Sequence, residues 1–263
     1  MDIAGYFASI FIGLLLGLIG GGGSILTVPV LVYLFSVNPV LSTTYSLFVV
    51  GTTSLAGSVF YFRQKLVDGK TVLAFGLPSI LMIFLTRMFV VPAIPGVIFR
   101  SASFTITKDV LLMLLFALLM LAAAYGMIRK NRNPVESYPQ KMNLSFLILQ
   151  GLFVGFVTGL VGAGGGFLII PALVNFLKLP MKTAVGTSLV IITINSLIGF
   201  LFSLHAFEIN WSFLLSVVGF ALVGIFIGMA LSKKINGARL KPAFGWFVLV
   251  MGVYIVFKEI LLR

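Results

Sequence analysis

Two glycine clusters offer the clearest chemistry in this chain. Gly20-Gly21-Gly22-Gly23-Ser24 interrupts one apolar run, and Gly162-Ala163-Gly164-Gly165-Gly166 interrupts another 142 residues later. The chemistry of such a cluster belongs to the backbone. Glycine permits sharp turns and lets a ligand approach the main chain closely. A helix starting at the end of the cluster, at Ser24 or Gly166, leaves its first amides free and presents the positive end of its dipole. Anions bind at such places. Four consecutive glycines cost about 1 kcal/mol each inside a helix, so packing does not explain them. The outlying pattern Gly13-xxx-Gly17 and Gly151-xxx-Gly155-xxx-Gly159 reads instead as helix packing through small residues. Neither cluster matches a dinucleotide or phosphate-loop fingerprint.

Hydroxyl and amide groups form a second constellation: Tyr45, Ser46, Thr52, Thr53 and Ser54, then Thr187, Ser188, Thr193, Asn195 and Ser196. They could complete an oxyanion site, or they could bond their own helix carbonyls. Ser46, Thr187, Ser188 and Asn195 are the favoured substrate contacts because the repeat described below aligns there.

Charge is informative by its scarcity. The six acids, Asp2, Asp68, Asp109, Glu136, Glu208 and Glu259, fall near run ends or in loops. No central carboxylate stands ready for a proton relay or a sodium site. An anion needs no such coupling to leave a cell, since the membrane potential supplies about 2.3 kcal/mol per charge per 100 mV. Arg87 lies toward the outer end of its helix, where a long side chain would snorkel to the interface; the other reading is a lure for anions. His205 reads as structural. The sequon at Asn143 abuts a helix on the expected cytoplasmic side and is discounted. With one histidine and no cysteine there is almost nothing from which to build an enzyme or a metal site, so neither catalysis nor a cofactor is expected.

Composition sets the solvent. The chain is 60% hydrophobic and 9% charged, with a mean hydropathy of +1.20. A soluble core cannot absorb that much apolar surface, so the expected class is an all-α polytopic membrane protein with the lipid bilayer as its partner. The net charge of +12 lies in short loops, so nucleic acid is not an expected partner. The N-terminus lacks the basic segment of a signal peptide, so the first apolar run is expected to stay.

Ten apolar runs follow one another, at roughly 3–19, 24–35, 42–62, 71–92, 106–128, 143–161, 166–177, 183–204, 211–232 and 240–262. Most reach the ~20 residues of a membrane span. The second and seventh are too short and read as half-helices behind the glycine clusters. Uncharged Ser36–Leu41, if extended, could finish the first of these crossings. An ungapped offset of 142 aligns the two halves over about fifty residues: Gly20 on Gly162, Ser46-Leu47 on Ser188-Leu189, Ser54-Leu55 on Ser196-Leu197. The expected organisation is a first repeat over 1–128, a cytoplasmic linker over 129–142 and a second repeat over 143–263. With all ten segments crossing and the N-terminus outside, 13 basic residues fall in the cytoplasm against Arg100, Lys108, Lys258 and Arg263 outside, with Arg87 inside a helix. If the short segments do not cross, the split is 9 against 8. The positive-inside rule favours the first arrangement, and an odd number of crossings per half makes the repeats inverted. Gly-interrupted segments in corresponding positions of two halves point to the binding site of a secondary transporter.

The paired motifs Gly17–Pro29 and Gly159–Pro171, followed by Tyr45-Ser46-Leu47 and Gly186-Thr187-Ser188-Leu189, resemble those of the sulfite exporter TauE/SafE family of membrane transporters. The resemblance covers essentially the whole chain. It implies a multi-pass plasma-membrane protein that moves small sulfur-containing or organic anions, such as sulfite or sulfonates. This sequence departs from the doubled pattern at Tyr45, where the second half has Thr187, and in an apolar loop from Pro92 to Thr107. The expected function is therefore secondary transport, in the export direction, of a small anion. The alternatives are a channel-like anion uniporter and a transporter of a non-sulfur organic anion.

Overall fold

The computed structural model describes residues 2–100, 105–128, 144–162, 164–175, 177, 179–204, 208–232 and 237–261. The expected linker at 129–142, Asn143 and His205 lie outside the described residues. The chain runs α1 (Asp2–Ile19), a 3-10 turn (Gly21–Leu26), α2 (Thr27–Tyr33), α3 (Pro39–Arg63), α4 (Gly69–Leu85), a π turn (Thr86–Val90) and α5 (Val91–Ala93). Strands β1 (Val97–Arg100) and β2 (Thr105–Thr107) precede α6 (Lys108–Ile128). The second half holds α7 (Leu144–Val161), α8 (Gly166–Asn175), α9 (Met181–Ser203), α10 (Trp211–Ser232) and α11 (Gly237–Leu261). Six helices among the described residues are long and apolar enough to cross a bilayer, and α1 is a shorter apolar helix. Large apolar side chains such as Phe7, Leu77, Phe153 and Phe226 stand exposed around the helices. So much apolar surface suits a lipid solvent rather than water. The fold is a helical multi-pass membrane protein, as composition implies.

The loop Pro92 to Thr107 departs from pure helix. It carries α5 and an antiparallel pairing in which Val97 faces Thr107 and Arg100 faces Thr105.

Helix starts follow local chemistry. Asn38 caps α3 by accepting from the amides of Val40 and Leu41, and Pro39 takes the first helical position, where no amide hydrogen is needed. Asp68 caps α4 and Asn210 accepts from Phe213 N at the head of α10.

Packing partners interchange between the halves. Helix α1 packs on α10 as α7 packs on α4, while α3 packs on α9 and α6 on α11. The small residues lie in these seams. A Cβ on Gly13 would fall 2.8 Å from Ile225 N, and one on Gly17 2.5 Å from Ile225 O; Gly228 answers from the other side, 3.0 Å from Gly17 Cα. In the matching seam, Cβ atoms on Gly151 and Gly155 would fall 2.5 Å from Phe75 O and 2.8 Å from Ser79 Cα. The packing reading of these glycines holds, and both seams run parallel. The α3–α9 seam runs the other way: Gly51 faces Leu197, Gly57 faces Leu189 and Leu47 faces Gly199.

Hydrogen bonds repeat at the same offset. Asp68 N donates to Thr187 Oγ1 at 2.9 Å, and Asn210 N donates to Tyr45 OH at 2.9 Å. Val37 N donates to Leu31 O at 3.0 Å, and Leu179 N to Leu173 O at 3.3 Å. Each pair matches residue for residue at 142. Tyr45 and Thr187 therefore do the same job, although their types differ.

The first broken segment returns to where α1 began. The ring of Phe35 packs on Tyr6 with centroids 5.4 Å apart, and a Cβ on Gly5 would fall 2.6 Å from Phe35 Cε1. A 3-10 turn rises about 2.0 Å per residue and an α-helix about 1.5 Å. The stretch from Gly21 to Tyr33 thus runs back along α1. Only Ser36–Asn38 is free of helix, with Ser36 left-handed at φ 56°, because α3 already starts at Pro39. The expected extended stretch to Leu41 is shorter than the sequence implied, since Asn38 and Pro39 nucleate the helix early.

Candidate functional site

The two glycine clusters meet each other. A Cβ on Gly21 would fall 2.6 Å from the carbonyl carbon of Gly166, and one on Gly166 2.5 Å from Gly21 O. Either would fall 2.6 Å from Ile192 Cδ1 on α9. Only glycine allows backbones this close. Gly20 and Gly162, matched at the offset, both adopt left-handed backbone, with φ of 75° and 73°. Gly164 and Gly165 continue left-handed at 67° and 71°, whereas Gly21 onward coils into the 3-10 turn. The second half-helix starts at Gly166, where the sequence placed it. The first does not start at Ser24. It opens as the turn from Gly21 and becomes α-helical at Thr27. Ser24 Oγ donates back to Gly21 O at 2.7 Å and so closes that turn. Ala163 lies outside the described residues.

In this arrangement the two tips touch at Gly21 and Gly166, backbone against backbone.

Helices α3 and α9 line both clusters. Val185 lies against Gly20 and Ile192 against Gly21, and Ser196 Oγ would be 2.7 Å from a Cβ on Gly164. From α3, Val50 reaches Gly164, while Thr43 lies against Gly162, 2.6 Å from its ideal Cβ at Thr43 Cα.

The hydroxyl groups divide sharply. Thr52, Thr53, Ser58, Ser188, Thr193 and Ser203 bond carbonyls of their own helices, the usual way to hide a hydroxyl in an apolar setting. Thr187 is taken by Asp68 N. Ser188 and Thr187, both favoured from the sequence, are thus already engaged. Ser46, Ser54 and Ser196 differ: their oxygens are buried and have no partner among the described residues. Asn195 donates to Ser79 Oγ at 2.6 Å but leaves its own Oδ1 without a partner. A buried polar atom left unpaired costs about 1–3 kcal/mol. Ser54 and Ser196 are repeat equivalents, which the alignment displayed although neither was favoured. Thr158 Oγ1 is also buried and unpartnered, and it packs on Gly165.

Arg87 overturns the snorkelling expectation. It is only 6% exposed, held in the π turn that ends α4. Nη1 donates to Thr43 Oγ1 at 3.1 Å, which brings the guanidinium to the helix break at Gly162. Side chains of the neighbouring helices cover the route to the surface that the sequence left open. Glu259 is likewise buried, accepting from Tyr33 OH at 3.1 Å, although it stands near the end of α11.

A model of the family described as "Sulfite exporter TauE/SafE" matches residues 6–255, a span that contains both glycine clusters. The chain belongs to the sulfite exporter TauE/SafE family. The TauE/SafE chain is 28% identical over 275 residues to the "Probable membrane transporter protein YunE" of Bacillus subtilis (strain 168), covering 95% of this chain and 97% of that one. It is 26% identical to a "Probable membrane transporter protein" of Xylella fastidiosa (strain Temecula1 / ATCC 700964), covering 94% and 92%. It is also 26% identical to "Probable membrane transporter protein MJ0441" of Methanocaldococcus jannaschii, covering 93% and 91%. No solved structure matches the chain significantly. The protein is a multi-pass membrane transporter of the TauE/SafE type.

Proposed function

We propose that this transporter moves small anions, such as sulfite, organosulfonates or related carboxylates, outward across the plasma membrane, with its N-terminus outside. One observation carries the reading: two equivalent glycine breaks meet, and beside the second the buried hydroxyls of Ser196 and Thr158 have no partner among the described residues. Backbone amides, helix dipoles and neutral donors such as Ser54 and Ser196 are the donor set an oxyanion prefers. Gly20–Gly23, Gly164–Gly166, Ser46 and Asn195 are the substrate contacts in this reading; Ser24, Thr187 and Ser188 position the backbone around them.

The two repeats are inverted. The antiparallel α3–α9 seam supports this, because equivalent helices that run oppositely relate the halves by an axis across them. So does the basic-residue split. Transport then proceeds by movement of one half against the other. The contact between Gly21 and Gly166 favours this over an open channel, since a pore must stay clear at its centre.

The test is anion efflux from proteoliposomes holding purified protein, screened over sulfite, thiosulfate, sulfoacetate, taurine and simple carboxylates. Saturable efflux of at least one anion is expected. Efflux no faster than from empty liposomes for every anion refutes the reading, and flux that fails to saturate favours the channel.

A further inference from the structure

Arg87 is a buried cation, 6% exposed, and no carboxylate pairs with it among the described residues. A guanidinium carries five N–H donors in a planar fork. Nη1 donates to Thr43 Oγ1. Nε and Nη2 are buried and reach no acceptor among the described residues. Those two nitrogens form the side-on edge of the guanidinium, whose parallel N–H bonds match two oxygens of a single oxyanion. A second cation stands nearby, for Lys108 Nζ donates to the Val91 carbonyl one turn beyond Arg87. Asp109 is engaged by Asn38 Nδ2 at 3.3 Å.

The position links Arg87 to the helix break. Thr43, which holds Nη1, lies against Gly162, and Thr86 lies against Gly159. Thr158, one turn before Gly162, has a second buried and unpartnered polar atom. The second half has no matching cation: Met229, 142 residues on, is apolar and packs by Gly17. The cation therefore serves one side of the fold only.

We propose that Arg87 binds the transported anion directly, its Nε and Nη2 donating to two oxygens of one sulfite, sulfonate or carboxylate group beside Thr43 and the helix break at Gly162. The inference rests on the anionic substrate of the preceding section and adds the residue that selects it. A group with two adjacent oxygens is favoured over a spherical anion such as chloride, because the fork reads geometry as well as charge.

A buried charge without a partner destabilises a fold, and replacing it by an apolar side chain relieves that cost. Binding and stability must therefore move in opposite directions on substitution. The test measures thermal midpoints and calorimetric affinities of purified wild type, Arg87→Met and Arg87→Lys. The probes are sodium sulfite, sodium methanesulfonate and sodium acetate, with sodium chloride at equal ionic strength as the baseline. Wild type is expected to gain stability with at least one probe as concentration rises. Arg87→Met is expected to melt at or above the wild-type temperature without probe and to lose the probe-dependent rise. Arg87→Lys keeps the charge but not the fork, so its affinity falls roughly tenfold or more. If Arg87→Met does not fold, the Arg87→Lys comparison decides. Equal affinities in wild type and Arg87→Lys overturn the role of Arg87 and leave the anion reading standing. No response of wild type to any probe overturns the anion reading, and this inference with it.

Discussion

Adding one methyl group at Gly21 tests whether contact between the two breaks matters for transport. The new Cβ would lie 2.6 Å from the Gly166 carbonyl carbon and 2.6 Å from Ile192 Cδ1. Non-bonded carbons rest at about 3.5–4.0 Å. The tips must therefore separate by roughly 1 Å, or Ile192 must turn aside. Overpacking of this kind costs about 1–3 kcal/mol, which corresponds to a fall in melting temperature of roughly 2–12 °C for a chain of this size. Gly76→Ala in α4 is the control. Nothing lies within 4 Å of its Cβ, and alanine is favoured over glycine in a helix by up to about 1 kcal/mol. Gly76→Ala is expected to melt at the wild-type temperature or slightly above and to transport normally. Gly21→Ala is expected to melt lower and to lose most anion efflux per folded molecule. The assay pairs melting in detergent with proteoliposome efflux normalised to folded protein. If Gly21→Ala and Gly76→Ala match in both measurements, the close approach of the clusters has no functional weight and the reasoning fails.

Other expectations follow from the same geometry. Gly13→Ala drives a methyl into the α10 backbone and is expected to destabilise by about 1–3 kcal/mol, while Gly219→Ala, with open space around it, is expected to be neutral by the same melting assay. Ser54→Ala and Ser196→Ala remove unpartnered buried hydroxyls, so stability should hold or rise while efflux falls; a drop in stability with efflux intact contradicts the site. Tyr45→Phe leaves Asn210 N without its acceptor, and a loss of about 1–3 kcal/mol is expected in denaturation. The chain has no cysteine, so single cysteines at Ser36 and Lys65 can be labelled cleanly. Access from outside at Ser36 and from the cytoplasm at Lys65 is expected, and the reverse result rejects the assigned orientation.

The glycine clusters were legible because runs of glycine in an apolar stretch have no cheaper explanation than a break. Their recurrence at a fixed offset also exposed the two halves, and small residues four apart marked the α1–α10 and α4–α7 seams. The hydroxyls were harder. Sequence places Ser188 and Ser196 on one helix but does not say which oxygen finds a carbonyl one turn back and which faces Gly164. Thr187 was a candidate ligand because it aligns with Tyr45. The alignment is real, yet both residues anchor an amide at a helix head, a role that needs the opposite half in place. Arg87 was misjudged for a related reason. Its depth along α4 reads from sequence, but its burial depends on α7, α3 and a π turn, and periodicity reveals none of them.

The matched bonds Asp68 N to Thr187 and Asn210 N to Tyr45 have a mechanical consequence. Each joins a residue of one half to a residue of the other, and α3 and α9 run oppositely, so the two bonds sit at opposite ends of the central seam. A motion that parts the halves at one end loses one bond and pivots about the other. Each bond is then a clasp in one phase and a fulcrum in the next. The differing strengths of a phenol and an aliphatic hydroxyl as acceptors would set which end opens first.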